Sequence, residues 1–229
     1  MICAIHQPNY LPFPGFFDKA LNSDIFIIYD TTQFRKNNYQ NRNRLCCANG
    51  WQWITVPVTQ VFGRKINEVE IFNPAKALKN NWSTIQTIYG NAPYFKDYSD
   101  IFAKVYKKNY SYIADLNCDL IFVISSILGI KTKFIRSSSL PKISSMKTQA
   151  LVDLCKKVNA DVYLSGSSGE DYLDRKLFAD SGIELSFQKY QHPVYKQFNN
   201  NEFQPYMSVI DLIFNCGGKG PDVISGKRN

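Results

Sequence analysis

The segment that most constrains the fold is residues 1–44, where apolar runs alternate with polar loops. Residues 2–5 predict a short buried strand, and a loop with three prolines follows it. A helix is expected to begin near Gly15, and residues 25–29 predict a second strand that ends in a polar run headed by Asp30. Ligands bind outside the carboxyl ends of strands in an open α/β sheet, so both polar runs are expected at one ligand-binding edge.

The rest of the chain predicts further βα units around a helical middle. Apolar residues at helical spacing predict helices over residues 75–89 and 111–128, with another helix opening at Ala92 and Pro93. Alternating strands and helices return afterwards, including a helix over residues 170–181. This order predicts an α/β fold with a mostly parallel sheet and Rossmann-like βα blocks at both ends. We expect a single domain over residues 1–229, in which about residues 75–128 form a helical insertion or cap.

Composition narrows the classes of partner. The formal net charge is +8, which favours anionic ligands. Basic residues are dispersed outside residues 35–44, so a nucleic-acid partner is not expected. The six cysteines form no CxxC pair and the chain has two histidines, so no metal site is expected. No signal peptide and no apolar run of membrane-spanning length are recognisable, which predicts a cytoplasmic protein with reduced thiols.

Two residues at the ends of the first strands are candidate catalytic groups. His6 follows the first predicted strand, where a neutral imidazole can act as a base or hydrogen-bond a substrate. It could equally fix the proline loop by bonding backbone carbonyls. Asp30 follows the second strand and could orient a hydroxyl or an amine, or form an ordinary Asx turn. The residues alone leave both alternatives open.

The basic segment after the second strand predicts a phosphate-binding site. Guanidinium groups bind phosphate in a bidentate manner, and neighbouring amides fill the remaining acceptors. Lys36, Arg42 and Arg44, with Asn41 between them, match this chemistry, although such a run can also be a solvated face. Tyr10 could stack on a base or a sugar ring. The polar loops add further substrate-binding candidates, namely Gln7, Asn9 and Gln33.

A third loop carries hydroxyl groups and glycines between a strand and a helix. Residues 165–169 read SGSSG, and the Ser165 and Ser167 hydroxyls, with backbone N–H groups, could hold a phosphate. The run is neither a Walker A loop nor a GxGxxG motif, and a glycine turn with a serine N-cap also explains it. We expect this loop and the ends of the first two strands to form one ligand pocket.

Several segments together resemble the WbqC-like family across nearly the whole chain. They are HQPNYLP at residues 6–12, GFFDK at 15–19, NRNR at 41–44, WQWITVPV at 51–58, APYF at 92–95 and SVIDLIFN at 208–215. The resemblance implies a role in O-antigen or other surface-polysaccharide biosynthesis, with transfer of glycine to an amino sugar. Family members often carry two acidic residues after the second strand, whereas here Asp30 is followed by Thr31. This difference argues against a mechanism that needs a carboxylate pair there.

A second resemblance is architectural. A strand, a proline loop and a glycine-led helix are similar to the adenylyl-transfer folds that carry the HIGH signature. Pantothenate synthetase, one of that group, makes an amide through an acyl adenylate, and glycylation of an amino sugar also forms an amide. This architectural resemblance makes ATP a possible cofactor. Residues 12–16 lack both histidines of HIGH, however, and this absence argues against ATP.

The resemblance therefore implies an acyl- or aminoacyl-transferase acting on a nucleotide-linked amino sugar. Lys36, Arg42 and Arg44 would hold the diphosphate, and His6 or Asp30 would accept the proton of the attacking amine. Loop N–H groups would stabilise the oxyanion. The acyl donor stays open between free glycine with ATP, an acyl-carrier thioester and a charged tRNA. The alternative is a non-catalytic protein that binds a nucleotide sugar or assists glycan assembly.

Overall fold

The computed structural model describes residues 1–59 and 61–225. This part of the chain contains nine strands: β1 (Ile2–His6), β2 (Ile25–Ile28), β3 (Arg42–Cys47), β4 (Gly50–Thr55), β5 (Val58–Thr59), β6 (Glu70–Ile71), β7 (Lys133–Arg136), β8 (Val162–Ser165) and β9 (Glu184–Phe187). Its eight α-helices are α1 (Pro14–Leu21), α2 (Pro74–Tyr89), α3 (Phe95–Tyr106), α4 (Ile113–Ile127), α5 (Lys147–Lys157), α6 (Arg175–Asp180), α7 (Val209–Cys216) and α8 (Gly220–Ile224).

Five strands form a central parallel sheet in the order β7–β2–β1–β8–β9. The chain leaves β1 toward β2 on one side, and β8 later pairs with the other side of β1. The strand order therefore reverses between β1 and β8, which makes this pair the topological switch point. In such sheets a crevice opens beyond the carboxyl ends of the two strands. The predicted α/β fold class is confirmed.

The two faces of the sheet are covered by different helices. Successive strand residues point to opposite faces, so neighbouring residues of one strand belong to different cores. Ala4 and Phe26 belong to the larger apolar core, which also contains residues of α1, α2, α3, α4 and α7. Cys3, Ile5 and Ile27 belong to a second core, which α5 and α6 close. The sheet is thus buried on both faces, as parallel sheets usually are.

The helical middle forms where the apolar spacing predicts it. Along α2, Leu78 and Ile85 lie two turns apart and are buried in the larger core. Trp82 of the same helix stacks on Phe95 and Tyr106 of α3, with ring centres 6.1 and 5.6 Å apart. These helices therefore share their apolar core with the sheet and α1.

One local prediction was wrong, and one strand was not predicted. The helix expected over residues 170–181 is divided into a 3₁₀ turn (Ser167–Asp171) and α6. The reason is that Asp174 caps α6, its Oδ1 accepting from the Leu177 N–H at 3.1 Å. The basic segment, for which no strand was predicted, contains β3, which carries Arg42 and Arg44 and pairs with β4 in an antiparallel hairpin. Leu45 on this strand is fully buried.

Candidate functional site

A cavity of about 840 Å³ opens at the switch point. We call it the inner pocket; its wall includes His6 at the end of β1 and Ser165 at the end of β8. A second cavity of about 880 Å³, the outer pocket, lies beyond it and is lined in part by residues 137–138 and 140–147. The two pockets share several lining residues, and we call the two together the cleft; those shared are Gln7, Tyr29, Thr32, Arg35 and Lys147.

The cleft carries charge of one sign. Among the described residues that line it, no aspartate or glutamate is present. The lining cations are Lys19, Arg35, Lys65, Lys142 and Lys147. A concave surface lined by one sign of charge concentrates ligands of the opposite sign. The geometry therefore suits an anionic ligand.

His6 presents a ring nitrogen, Nε2, for which the described residues supply no hydrogen-bond partner. Its Nδ1 lies 3.0 Å from the Gln7 carbonyl oxygen. Because that oxygen can only accept, Nδ1 carries the proton and Nε2 keeps its lone pair. Burial, followed by the positive charge of Lys19, lowers the pKa of His6 to about 3. The imidazole is therefore neutral near pH 7 and can accept a hydrogen bond or a proton.

Lys19 is a site residue that the sequence analysis missed. It extends from α1 into the inner pocket, and only 3% of the residue is exposed. Its Nζ donates to the Ile5 carbonyl oxygen at 3.0 Å, and burial lowers its pKa to about 7. Gly15 and Lys19 are four residues apart and lie on the same side of α1. That spacing was the available signal for its inward position.

Asp30 lies at the predicted strand end but is fully engaged by its neighbours. The residue is 0% exposed and lines neither pocket. Its carboxylate accepts from Arg136 Nε at 2.7 Å, Ser137 Oγ at 2.8 Å, and Ser138 N and Oγ at 2.9 and 2.6 Å. These four bonds occupy its acceptor positions. This geometry argues against Asp30 as the base. It indicates instead that Asp30 ties the end of β2 to residues 137–138, which line the outer pocket.

Three predicted binding residues are instead part of the protein interior. Tyr10 is fully buried, and its hydroxyl lies 2.6 Å from the Tyr106 hydroxyl and accepts from Asn81 Nδ2 at 3.0 Å. This buried position argues against the predicted stacking of Tyr10 on a ligand ring. Asn41 is buried and donates to the Val56 carbonyl oxygen at 3.0 Å. Asn9 is also buried and lines neither pocket.

The predicted phosphate-binding cations lie outside the cleft. The Arg42 guanidinium stacks 4.1 Å from the centre of the Trp53 ring, and that of Arg44 lies 4.3 Å from Trp51. Both stacks lie on the hairpin, where Trp51 is 40% exposed. Lys36 is exposed, and none of the three cations lines either pocket. Strand β3, which was not predicted, places the two arginine side chains on the hairpin instead.

The remaining predicted residues divide between the two pockets. Gln7 lines both, and its Oε1 accepts from Gln40 Nε2 at 2.7 Å. Gln33 lines the outer pocket and Ser165 the inner one. Ser167 is exposed and is not among the lining residues, whereas the next residue, Ser168, is. The structure thus brings the ends of β1 and β2 and the loop after β8 into one pocket, as expected.

The switch point and the cationic cleft define an α/β protein of Rossmann-like architecture with its cleft at the carboxyl ends of parallel strands. The chain belongs to the WbqC-like protein family, whose family model matches residues 7–223. It is 37% identical over 226 residues to the uncharacterized protein Rv1507c of Mycobacterium tuberculosis (strain ATCC 25618 / H37Rv), and the alignment covers 96% of each chain. No solved structure matches the chain.

Over residues 1–59 and 61–225, no helix has the length and apolar character needed to cross a membrane. Within the same ranges, no group of three or more histidine, cysteine or acidic residues is arranged to hold a metal ion.

Proposed function

We propose that the protein transfers an acyl group, with glycyl as the first candidate, to the amine of a nucleotide-linked amino sugar in surface-polysaccharide biosynthesis. Membership of the WbqC-like family supports the assignment to surface-polysaccharide biosynthesis, because the resemblance to that family implies this role. The observation that carries the proposal is the cleft itself, whose described lining residues include five cations and a neutral imidazole but no carboxylate. The cations suit the diphosphate of the proposed substrate. The neutral imidazole suits amide formation, because it can accept the proton of the attacking amine.

The cleft has room for the proposed substrate. Pockets that hold small molecules usually measure about 300–1,000 Å³, and each part of this cleft lies within that range. Arg35 and Lys147 line both parts, so they are suited to hold the diphosphate where the pockets meet. The nucleoside would then lie in the outer pocket and the amino sugar in the inner pocket, beside His6.

The proposed chemistry requires one proton acceptor. The neutral amine attacks the acyl carbon and forms the C–N bond, and its surplus proton passes to Nε2 of His6. The bond from the acyl carbon to the leaving group then breaks, and the same proton passes to the leaving group. An anionic substrate beside Lys19 would offset the charge that helps lower the pKa of His6, which makes the imidazole a stronger base once the substrate is bound.

The test is product formation with purified components. The protein is incubated with nucleotide-linked amino sugars and glycine supplied as the free acid with ATP, as an acyl-carrier thioester or as charged tRNA. Mass spectrometry of the sugar nucleotide should detect the glycyl amide with one donor. Binding of a nucleotide sugar without any product from the three donors would contradict the transferase and favour the binding-protein alternative.

A further inference from the structure

Lys19 has an environment that the proposed reaction does not by itself explain. Of the lysines and arginines whose burial the structure describes, it alone is buried. Its side chain reaches the inner pocket from α1, next to the end of β1. A buried ammonium group is unfavourable unless it is paired with an anion, because burial removes its hydration.

No anionic partner is supplied by the described part of the chain. No carboxylate oxygen in it lies within 4.0 Å of Lys19 Nζ. The adjacent Asp18 is engaged elsewhere, since it accepts from Gln188 Nε2 at 2.5 Å and from Asn22 Nδ2 at 3.3 Å. An ammonium group has three donors, and the Ile5 carbonyl oxygen takes one of them. The remaining donors belong to a group that lines an open pocket.

The bond to Ile5 explains a hydrogen-bond donor at this position but not a cation, and the centre of the Phe26 ring, 5.7 Å from Nζ, adds only a weak cation–π contact. Pairing between β1 and β8 ends at Ala4 and Leu164, so the Ile5 carbonyl lies just beyond the ladder. An amide side chain would cap that carbonyl without the cost of a buried charge. The positive charge therefore indicates a second role.

We propose that Lys19 is the deep anchor of an anion-binding subsite in the inner pocket, which takes a phosphate group of the ligand. Donors for the other phosphate oxygens line the same pocket, namely the Ser168 hydroxyl and the Lys147 ammonium group. In the proposed substrate this is the sugar-side phosphate of the diphosphate, while Arg35 holds the other. The subsite rests on the structure, and only the identity of the phosphate carrier rests on the proposed function.

The subsite makes anion binding depend on pH. Burial lowers the pKa of Lys19 to about 7, so the free protein loses this charge as the pH rises above that value. A bound anion favours the charged form, and binding therefore weakens from about pH 6 to about pH 9. His6, with a pKa of about 3, does not titrate in this range, and burial raises the pKa values of Tyr29 and Tyr163. The other titratable groups that line the inner pocket are Tyr172, Arg35 and Lys147.

The experiment measures sulfate binding by calorimetry and thermal melting at constant ionic strength. Sulfate resembles phosphate in shape, and its charge does not change between pH 6 and pH 9. Lys19→Gln keeps a donor for the Ile5 carbonyl but removes the charge, and it should weaken sulfate binding roughly 10- to 100-fold near pH 6. Lys19→Arg should bind with little pH dependence. Lys79→Gln, an exposed lysine outside both pockets, is the matched control and should behave as wild type.

Several results would overturn the subsite. One is a folded Lys19→Gln variant that binds sulfate as tightly as wild type, which would leave Lys19 only as a cap of the Ile5 carbonyl. Another is wild-type binding that is absent at every pH, or unchanged from pH 6 to pH 9. Both of these wild-type results are obtained without a variant, so they test the subsite even if Lys19→Gln does not fold.

A parallel titration with nucleotide-linked amino sugars separates this inference from the proposed function. Sulfate binding that depends on Lys19, with no nucleotide sugar bound, would support the subsite and contradict the proposed substrate. Nucleotide-sugar binding that is equal in wild type and Lys19→Gln would contradict the subsite and leave the proposed substrate standing.

Discussion

Replacement of Arg136 by methionine tests whether Asp30 is a structural group. The change removes the cation that pairs with the fully buried Asp30 carboxylate and leaves that carboxylate three hydrogen bonds from Ser137 and Ser138. Breaking a buried ion pair costs about 3–5 kcal/mol, and the remaining bonds favour the lower end, about 3 kcal/mol. For a chain of this length, each kcal/mol lowers the melting temperature by about 2–4 °C. The expected loss is therefore about 6–12 °C.

The assay is thermal and urea unfolding of wild type, Arg136→Met and the double variant Asp30→Asn/Arg136→Met. The double variant removes the unpaired charge, so it should regain part of the lost stability. Arg136→Lys serves as the matched control, because it keeps the charge and should cost less than methionine. A melting temperature within about 2 °C of wild type for Arg136→Met would refute the reasoning, since it would correspond to no more than about 1 kcal/mol.

Three further outcomes follow from His6, from the hairpin arginines and from Asp211, a buried residue of α7. His6→Gln should lower turnover ~10²–10⁴-fold with little change in substrate affinity, measured by product formation; a normal rate with a lower melting temperature would instead make His6 a structural residue. Arg42→Ala and Arg44→Ala should leave nucleotide-sugar affinity unchanged in calorimetry, because both stack on the hairpin tryptophans; a loss of affinity would return them to the binding site. Burial raises the pKa of Asp211 in the folded protein above its value of about 3.9 in the unfolded chain. The stability that Asp211 contributes is therefore fully present below about pH 3.9 and is lost as the pH rises through the pKa of the folded state. Unfolding at several pH values should therefore show wild type losing stability relative to Asp211→Asn as the pH rises, and a constant difference would contradict this.

The fold could be predicted from local patterns because strand and helix periods are properties of short segments. The inner pocket could be predicted in part for the same reason. His6 and Ser165 each follow a strand, and parallel strands place their carboxyl ends at one edge. Pairing across the sheet could not be predicted, so the partner of Asp30 was missed, since Arg136 lies 106 residues away.

Two other failures have equally physical causes. Periodicity shows that α1 has a buried face, but a lysine within it is ordinarily assigned to the solvent side, so the inward position of Lys19 was not recognised. The strand that carries Arg42 and Arg44 was not predicted, because no local signal separates a polar strand from a polar loop. The hairpin register then directs both arginines onto the tryptophans of β4.

A crystal structure of the protein with a nucleotide-linked amino sugar tests the central claim most directly. The account predicts the diphosphate between Arg35, Lys147 and Lys19, with the sugar amine within about 3 Å of Nε2 of His6. A nucleotide sugar bound on the hairpin face at Arg42 and Arg44, with the cleft at β1 and β8 empty, would contradict it.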